Sequence, residues 1–124
     1  MDRYEKGEAR RRQVLGDAHV DASQARQTAL DEPFQTLVTE GAWGTVWASD
    51  AISLRERSMI TLALLAATKN FHEMPMHIRA TANTGASERD VMEALQHVAI
   101  YAGVPAANHA VKIAKEVFAE MRGE

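Results

Sequence analysis

The chain has 124 residues, of which 46% are apolar and 25% charged, the proportions of one folded domain rather than of a disordered chain. It contains no cysteine, which excludes disulfides, thiolate nucleophiles, cysteine-ligated zinc and iron–sulfur clusters. Its 14 basic and 17 acidic residues give a net charge of −3, so no overall positive field attracts nucleic acid. We interpret residues 1–124 as a single domain.

The charged and apolar runs of the sequence favour a cytoplasmic protein. The longest apolar run, "MITLALLAAT" from Met59, is far shorter than the ~20 residues of a membrane span. The first residues, "MDRYEKGEARRR", lack the apolar segment of a signal peptide. Arg10, Arg11 and Arg12, at the end of that stretch, share a predicted helix with Glu5 and Glu8, which is typical of a solvated helix face. We therefore expect neither a membrane nor a nucleic-acid partner.

The first half of the chain predicts two helices. Almost every segment has a helical period, and none shows the alternation of a half-buried strand. The first helix spans residues 2–15 and ends at Gly16, and "DAHVDASQA" after it is predicted to be an irregular connection. The second helix spans residues 32–48, with a proline in its first turn. Gly41 and Gly44 weaken this helix but permit the close approach of another backbone.

The second half of the chain predicts the remaining helices. One covers residues 54–68 with Ser53 as its N-cap, and it is apolar nearly all round, so we expect it to be the central buried element. Another ends at Gly85, Ser87 caps the next, and the last has a proline in its first turn and reaches Met121. The predicted fold class is all-α, with about six helices and short loops.

The stretch "HEMPMHIR" begins like the H-E-x-x-H signature of zinc proteases, but its second histidine comes one residue late. His72 and His77 are five positions and ~140° apart round a helix, so their faces match poorly. Glu73 and His77 are four apart and share a face. Pro75 belongs in a first helical turn, which puts Glu73 at or just before the helix start. The spacing predicts no metal site and leaves two alternatives, an ordinary helix pair or a metal-free catalytic pair.

The other histidines and the tryptophans have structural interpretations from the sequence alone. His97 and His109 are predicted to lie on helix faces, and His19 in a loop between two aspartates. Trp43 and Trp47 are four residues apart and form one aromatic face, which serves the core, a subunit contact or a ligand wall.

Six segments of the chain are distinctive when taken together. They are "VLGDAHVD" (14–21), "GAWGTVW" (41–47), "RERSMITLALLAA" (55–67), "HEMPMHIRAT" (72–81), "NTGASERDVMEAL" (83–95) and "AIYAGVPAANHA" (99–110). In this order, and from about Tyr4 to Met121, the chain resembles the carboxymuconolactone decarboxylase family. That family is similar in fold to the alkylhydroperoxidase D proteins, so the resemblance implies their helical, oligomeric fold.

The comparison with the alkylhydroperoxidase D proteins also excludes their activity. Those proteins use a Cys-x-x-Cys pair with a histidine one helical turn later. Under the resemblance His77 takes the histidine position, Asn70 and Glu73 take the cysteine positions, and Ser58 takes that of an upstream glutamate. Without its cysteines the chain cannot be a peroxidase of that type.

The resemblance implies decarboxylation of 4-carboxymuconolactone to 3-oxoadipate enol-lactone, a step of protocatechuate breakdown in the beta-ketoadipate pathway. The electrons left by the departing carboxylate flow through the ring double bond to the lactone carbonyl, so the substrate is its own electron sink. Neither a metal nor a cofactor is then required. The enzyme must hold the second carboxylate, stabilise the dienolate oxygen and deliver a proton to carbon.

Under this resemblance each role has candidate residues. His77 is the first choice as proton donor or oxyanion partner, with Glu73 to orient it or to press on the departing carboxylate. Arg57 and Arg79 are candidates for clamping the substrate carboxylates, although Arg79 also suits a salt bridge. The remaining substrate-binding candidates match family motifs and are expected to line the pocket: Trp43, His19 and Asn108.

A small lactone dicarboxylate is the expected partner, together with further copies of the chain. The family's relatives form trimers and hexamers, and so short a chain buries a limited share of its surface. Two alternatives remain beside the decarboxylase. One is a related helical lyase or isomerase acting on another lactone, and the other is a non-catalytic helical oligomer that serves as a binding module.

Overall fold

The computed structural model describes all 124 residues, and every regular element in it is helical, which confirms the predicted all-α class. It has eight α-helices instead of about six, with one π-helical and one 3₁₀ segment besides. The chain forms two compact units, residues 1–53 and residues 54–124. None of the helices combines the length and the apolarity that a membrane crossing needs.

Three α-helices and a π-helical segment make up the first unit. They are α1 (Arg3–Leu15), α2 (Asp17–Ala25), α3 (Glu32–Val38) and the π segment (Thr39–Trp47). α1 ends at Gly16 as predicted, where φ is 90°. The helix predicted over residues 32–48 is continuous, but its second half has the wider π geometry. α1 packs against both α2 and the π segment.

The prediction of an irregular connection after α1 is wrong, because residues 17–25 form α2. Only Val20 of this helix is buried, so its sequence carries little of the apolar period that marks a helix. Polar groups bind it to α1 instead: Arg12 contacts Asp17 at 3.1 Å and Asp21 at 2.9 Å. Polar contacts of this kind leave no apolar periodicity in the sequence, so the apolar pattern did not predict α2.

α1 and the π segment approach each other backbone to backbone at two glycines. A β carbon on Gly7 would overlap the carbonyl oxygen of Thr39, and one on Gly44 would overlap the carbonyl oxygen of Arg3. The close approach predicted from the glycine pair is therefore confirmed at Gly44. At Gly41 a β carbon would meet nothing within 4 Å, so that glycine has no such role.

The second unit holds five α-helices and a short turn. They are α4 (Leu54–Ala67), a 3₁₀ turn (Phe71–Glu73), α5 (Met74–Arg79), α6 (Thr81–Thr84), α7 (Glu88–Tyr101) and α8 (Val104–Met121). α4 contacts each of the other four helices, and α8 packs on α5 and α7. Gly85 ends α6 with a φ of 85°, and Ser87 caps α7, both as predicted.

α4 is buried on one face only, which corrects the expectation of a helix buried nearly all round. Its buried residues are Ser58, Leu62 and Ala66, spaced four apart. Ile60 and Leu64, on the opposite face, are 50% and 59% exposed. The apolar composition of α4 exceeds what its neighbours cover, because a chain this short cannot enclose a helix on all sides.

An ion pair joins the first turns of α4 and α7. Arg55 donates to both carboxylate oxygens of Asp90, at 2.7 and 2.6 Å. Asp90 also accepts from the backbone N–H of Ser87, whose hydroxyl accepts from the N–H of Asp90, so the two form a capping box. These hydrogen bonds, that from Arg55 foremost, hold the pKa of Asp90 well below its usual range. The pair fixes the start of α4, the helix that carries Arg57.

Candidate active site

The start of α5 presents Glu73 and His77. Glu73 ends the 3₁₀ turn and is the N-cap of α5, and Pro75 lies in the first turn, both as predicted. Met74 and Ile78 are fully buried in the core of the second unit. Each candidate comes one position before a buried residue, so the two lie on a face of α5 that borders the core. His77 is half-buried there and Glu73 is exposed.

Glu73 and His77 are one helical turn apart, the separation at which side chains on a helix can meet. His72 lies in the 3₁₀ turn, outside the helix that carries His77. The two imidazoles therefore do not share a helix, as an H-E-x-x-H motif requires. The spacing along the helix therefore favours a carboxylate, rather than a second histidine, as the neighbour of His77.

The two arginine candidates lie in different surroundings. Arg57 is half-buried on α4, one position before Ser58, whose hydroxyl is 2.7 Å from that of Thr84 in the core. Arg79 is exposed at the end of α5, and its Nη2 atom lies 3.3 Å from a carboxylate oxygen of Glu120 on α8. A substrate carboxylate would therefore compete with Glu120 for the guanidinium of Arg79.

Asn108 is exposed on the first half of α8, beside a ring contact between distant parts of the chain. The imidazole of its neighbour His109 stacks on Phe71, with ring centroids 4.2 Å apart and planes 11° apart. Phe71 opens the 3₁₀ turn that leads to Glu73. The stack therefore holds this part of α8 against the segment from which α5 starts. No sequence pattern signals it, because the two rings are far apart along the chain.

Two open depressions flank Asn108. One, of about 650 Å³, lies along α8 and is lined by Asn108, His109, Lys112 and Lys115 among others. The second, of about 310 Å³, lies between α7 and α8; its lining is mostly apolar, and it shares Asn108 and Val111 with the first. Neither lysine is among the site residues predicted from the sequence. They follow Asn108 by four and seven positions, which places all three on one helix face, and this spacing is the signal from which they could have been predicted.

The first unit carries the other two candidates. His19 is exposed on α2, not in a loop, between the two aspartates that bind Arg12. Trp43 is buried in the π segment, and its ring lies 5.2 Å from that of Trp47. Five candidates thus lie in the second unit and these two in the first: Glu73, His77, Arg57, Arg79 and Asn108, then His19 and Trp43.

Comparison with known proteins identifies relatives across nearly the whole chain. Residues 32–116 match the family described as "Carboxymuconolactone decarboxylase family". The chain is 36% identical over 119 residues to the 4-carboxymuconolactone decarboxylase of Acinetobacter baylyi, covering 96% of this chain and 89% of that protein. It is 33% identical over 118 residues to the nitrosuccinic acid decarboxylase of Metarhizium robertsii, covering 95% and 82%.

The matched region contains all the candidate residues except His19. Both relatives are named decarboxylases, which supports a carboxy-lyase activity for this chain. These matches confirm the resemblance inferred from the six segments: the chain belongs to the carboxymuconolactone decarboxylase family.

Proposed function

We propose that this protein decarboxylates 4-carboxymuconolactone to 3-oxoadipate enol-lactone, in the cytoplasm and without a metal or cofactor. The observation that carries the proposal is the match to the Acinetobacter baylyi enzyme over 96% of the chain. The start of α5 supports it further, because it presents a carboxylate and an imidazole one turn apart at the border of the core.

The reaction breaks the bond between the ring carbon and the departing carboxylate. The electron pair moves through the ring double bond to the lactone carbonyl and forms a dienolate. A proton then adds to the carbon next to that carbonyl, which leaves the double bond at the former site of the carboxylate. The protein must stabilise the dienolate oxygen and supply the proton, tasks for hydrogen-bond donors and a titrating side chain.

We assign His77 one of two roles, to deliver the proton or to donate a hydrogen bond to the developing oxyanion, because an imidazole can fill either role near neutral pH. Glu73 orients it from one turn earlier. Arg57 provides positive charge for a substrate carboxylate on a helix start fixed by the Arg55–Asp90 pair. The other residues assigned to substrate binding are Arg79, Asn108, Trp43 and His19.

The relative from Metarhizium robertsii favours a second candidate substrate, a nitro-substituted succinate. The two named substrates share a substructure. In 4-carboxymuconolactone one ring carbon bears both a carboxylate and an acetate arm. In nitrosuccinate the carbon that bears the nitro group also bears a carboxylate and an acetate arm. Loss of the carboxylate from that carbon delivers electrons to the lactone in one case and to the nitro group in the other. We infer that the site recognises a succinate whose first carbon is joined to an electron sink.

Three compounds test the proposal and its substrate class. We expect purified protein to consume 4-carboxymuconolactone, followed by its ultraviolet absorbance, with a higher kcat/KM than 2-nitrosuccinate, followed by carbon dioxide release. A lactone with a methyl group in place of the acetate arm should lose at least about tenfold in kcat/KM, because a charge-assisted contact is missing. Faster turnover of 2-nitrosuccinate would select the second candidate, and equal turnover of the methyl lactone would contradict the shared substructure.

We also propose that the protein works as a trimer or hexamer. α3 buries none of its residues, and Phe34 and Leu37 on it are 62% and 66% exposed. The end of α7 exposes Ile100 and Tyr101, and the start of α8 exposes Val104, to a similar or greater degree. So many large apolar side chains in solvent are typical of surfaces that another subunit covers.

Sedimentation equilibrium tests this assembly. We expect a mass three or six times the 13.7 kDa of one chain at micromolar concentration. A single species of 13.7 kDa would contradict the proposal.

A further inference from the structure

Most arginines of the second unit are already bound to carboxylates. Arg55 pairs with Asp90, Arg79 with Glu120, Arg89 with Glu93, and Arg122 with Glu88 and Glu124. A substrate with two carboxylates needs positive charge that is not neutralised within the protein. Two lysines of α8, Lys112 and Lys115, provide such charge.

Lys112 and Lys115 are exposed on α8, and neither forms an ion pair. Glu116 lies four residues after Lys112, yet the two do not pair; a lysine placed before the glutamate is the weaker order on a helix. Asn108, one turn before Lys112, adds an amide donor on the same face. Asn108, Lys112 and Lys115 thus form a row of one hydrogen-bond donor and two cations without an ion-pair partner, and the carboxylate of Glu116 lines the same depression.

The row lines a depression of about 650 Å³, a volume typical of small-molecule sites. Beside it, and sharing Asn108, lies the mostly apolar depression of about 310 Å³ between α7 and α8. The stack of His109 on Phe71 ties this part of α8 to the turn that ends at Glu73. The charged and the apolar depressions therefore meet at Asn108, and the next residue, His109, contacts the turn that precedes α5.

We propose that this face of α8 binds the carboxylate that the substrate retains, with Lys112 and Lys115 as its cations and Asn108 as a hydrogen-bond donor. The apolar depression then takes the uncharged part of the ring. The two lysines then determine the specificity for dicarboxylates. The identity of the substrate rests on the proposed function, but the binding of a carboxylate does not.

The first test separates binding from chemistry in the enzyme. The double variant Lys112→Gln, Lys115→Gln should raise KM for 4-carboxymuconolactone about tenfold, with kcat changed less than about twofold, because two solvent-exposed charge contacts are lost. The matched control is Lys69→Gln, which removes an exposed, unpaired lysine of the same unit outside this face. An unchanged KM in the double variant overturns the proposal.

The second test needs no turnover and uses succinate as the probe. In an amide NMR titration of the full-length protein, succinate should shift the signals of Asn108 and Lys112 in the parent, and propionate should do so at least about tenfold more weakly. The double variant should lose the succinate response. If succinate shifts these α8 signals but the protein decarboxylates neither substrate, the proposed function is wrong and the carboxylate site stands. No succinate-dependent shift on α8 overturns the site whether or not the protein is active.

Discussion

The variant His77→Ala is expected to lower kcat for decarboxylation by about a hundredfold to ten-thousandfold while the protein stays folded. His77 provides the proton or the oxyanion hydrogen bond, and no other histidine lies on α5. Its removal should be tolerated structurally, because the core contacts of α5 come from Met74 and Ile78. Stopped-flow or steady-state absorbance gives kcat, and circular dichroism reports the helices.

The matched control for this variant is His97→Gln. His97 is exposed on α7, and its Nδ1 atom lies 3.4 Å from the carbonyl oxygen of Glu93 on its own helix. Its replacement should leave kcat within about twofold of the parent, as surface substitutions do. A His77→Ala protein that folds and decarboxylates at the parent rate would remove His77 from the site and leave Glu73 without a partner.

Substitution of Gly44 by alanine should lower the free energy of unfolding of the first unit by about 3 kcal/mol, or prevent that unit from folding. The new β carbon would overlap the carbonyl oxygen of Arg3, so α1 and the π segment must move apart. Because a backbone atom is in the way, no rotamer change relieves the overlap. The same reasoning applies to Gly7, which faces the carbonyl oxygen of Thr39.

Urea unfolding followed by tryptophan fluorescence measures this effect selectively, since the only two tryptophans of the chain, Trp43 and Trp47, both lie in the π segment. Gly41→Ala is the matched control, in the same segment but with open space around the new β carbon. It should be neutral or stabilising by up to about 1 kcal/mol, the helix preference of alanine over glycine. Equal midpoints for Gly44→Ala and the parent would show that the close packing contributes nothing.

Local signals in the sequence predicted those parts of the fold that local chemistry determines. Gly16 and Gly85 take positive φ angles where helices end, and Ser87 forms its capping box. Pro75 lies in the first turn of α5, which made the register of Glu73 and His77 predictable. In each case one residue type restricts the backbone or satisfies free N–H groups whatever surrounds it.

The parts that sequence reasoning missed depend on distant contacts. α2 is held by Arg12 of the preceding helix rather than by an apolar stripe. The π geometry of residues 39–47 accompanies the backbone contact with Gly7, and no local propensity signals it. The stack of Phe71 on His109 joins segments that are distant in sequence. At the candidate site, the pairing of Arg79 with Glu120 was foreseen only as an alternative, and the unpaired lysines of α8 were not foreseen at all.

The proposed metal-free decarboxylation is tested most directly by the turnover of 4-carboxymuconolactone by purified protein that has been treated with a chelator. We expect the ultraviolet absorbance of the lactone to disappear at a rate proportional to enzyme concentration, unchanged by the chelator and lowered at least about a hundredfold in His77→Ala. A protein that leaves the lactone intact would contradict the proposed decarboxylation. So would activity that the chelator removes and zinc restores, because the reaction would then depend on a metal instead of on Glu73 and His77 alone.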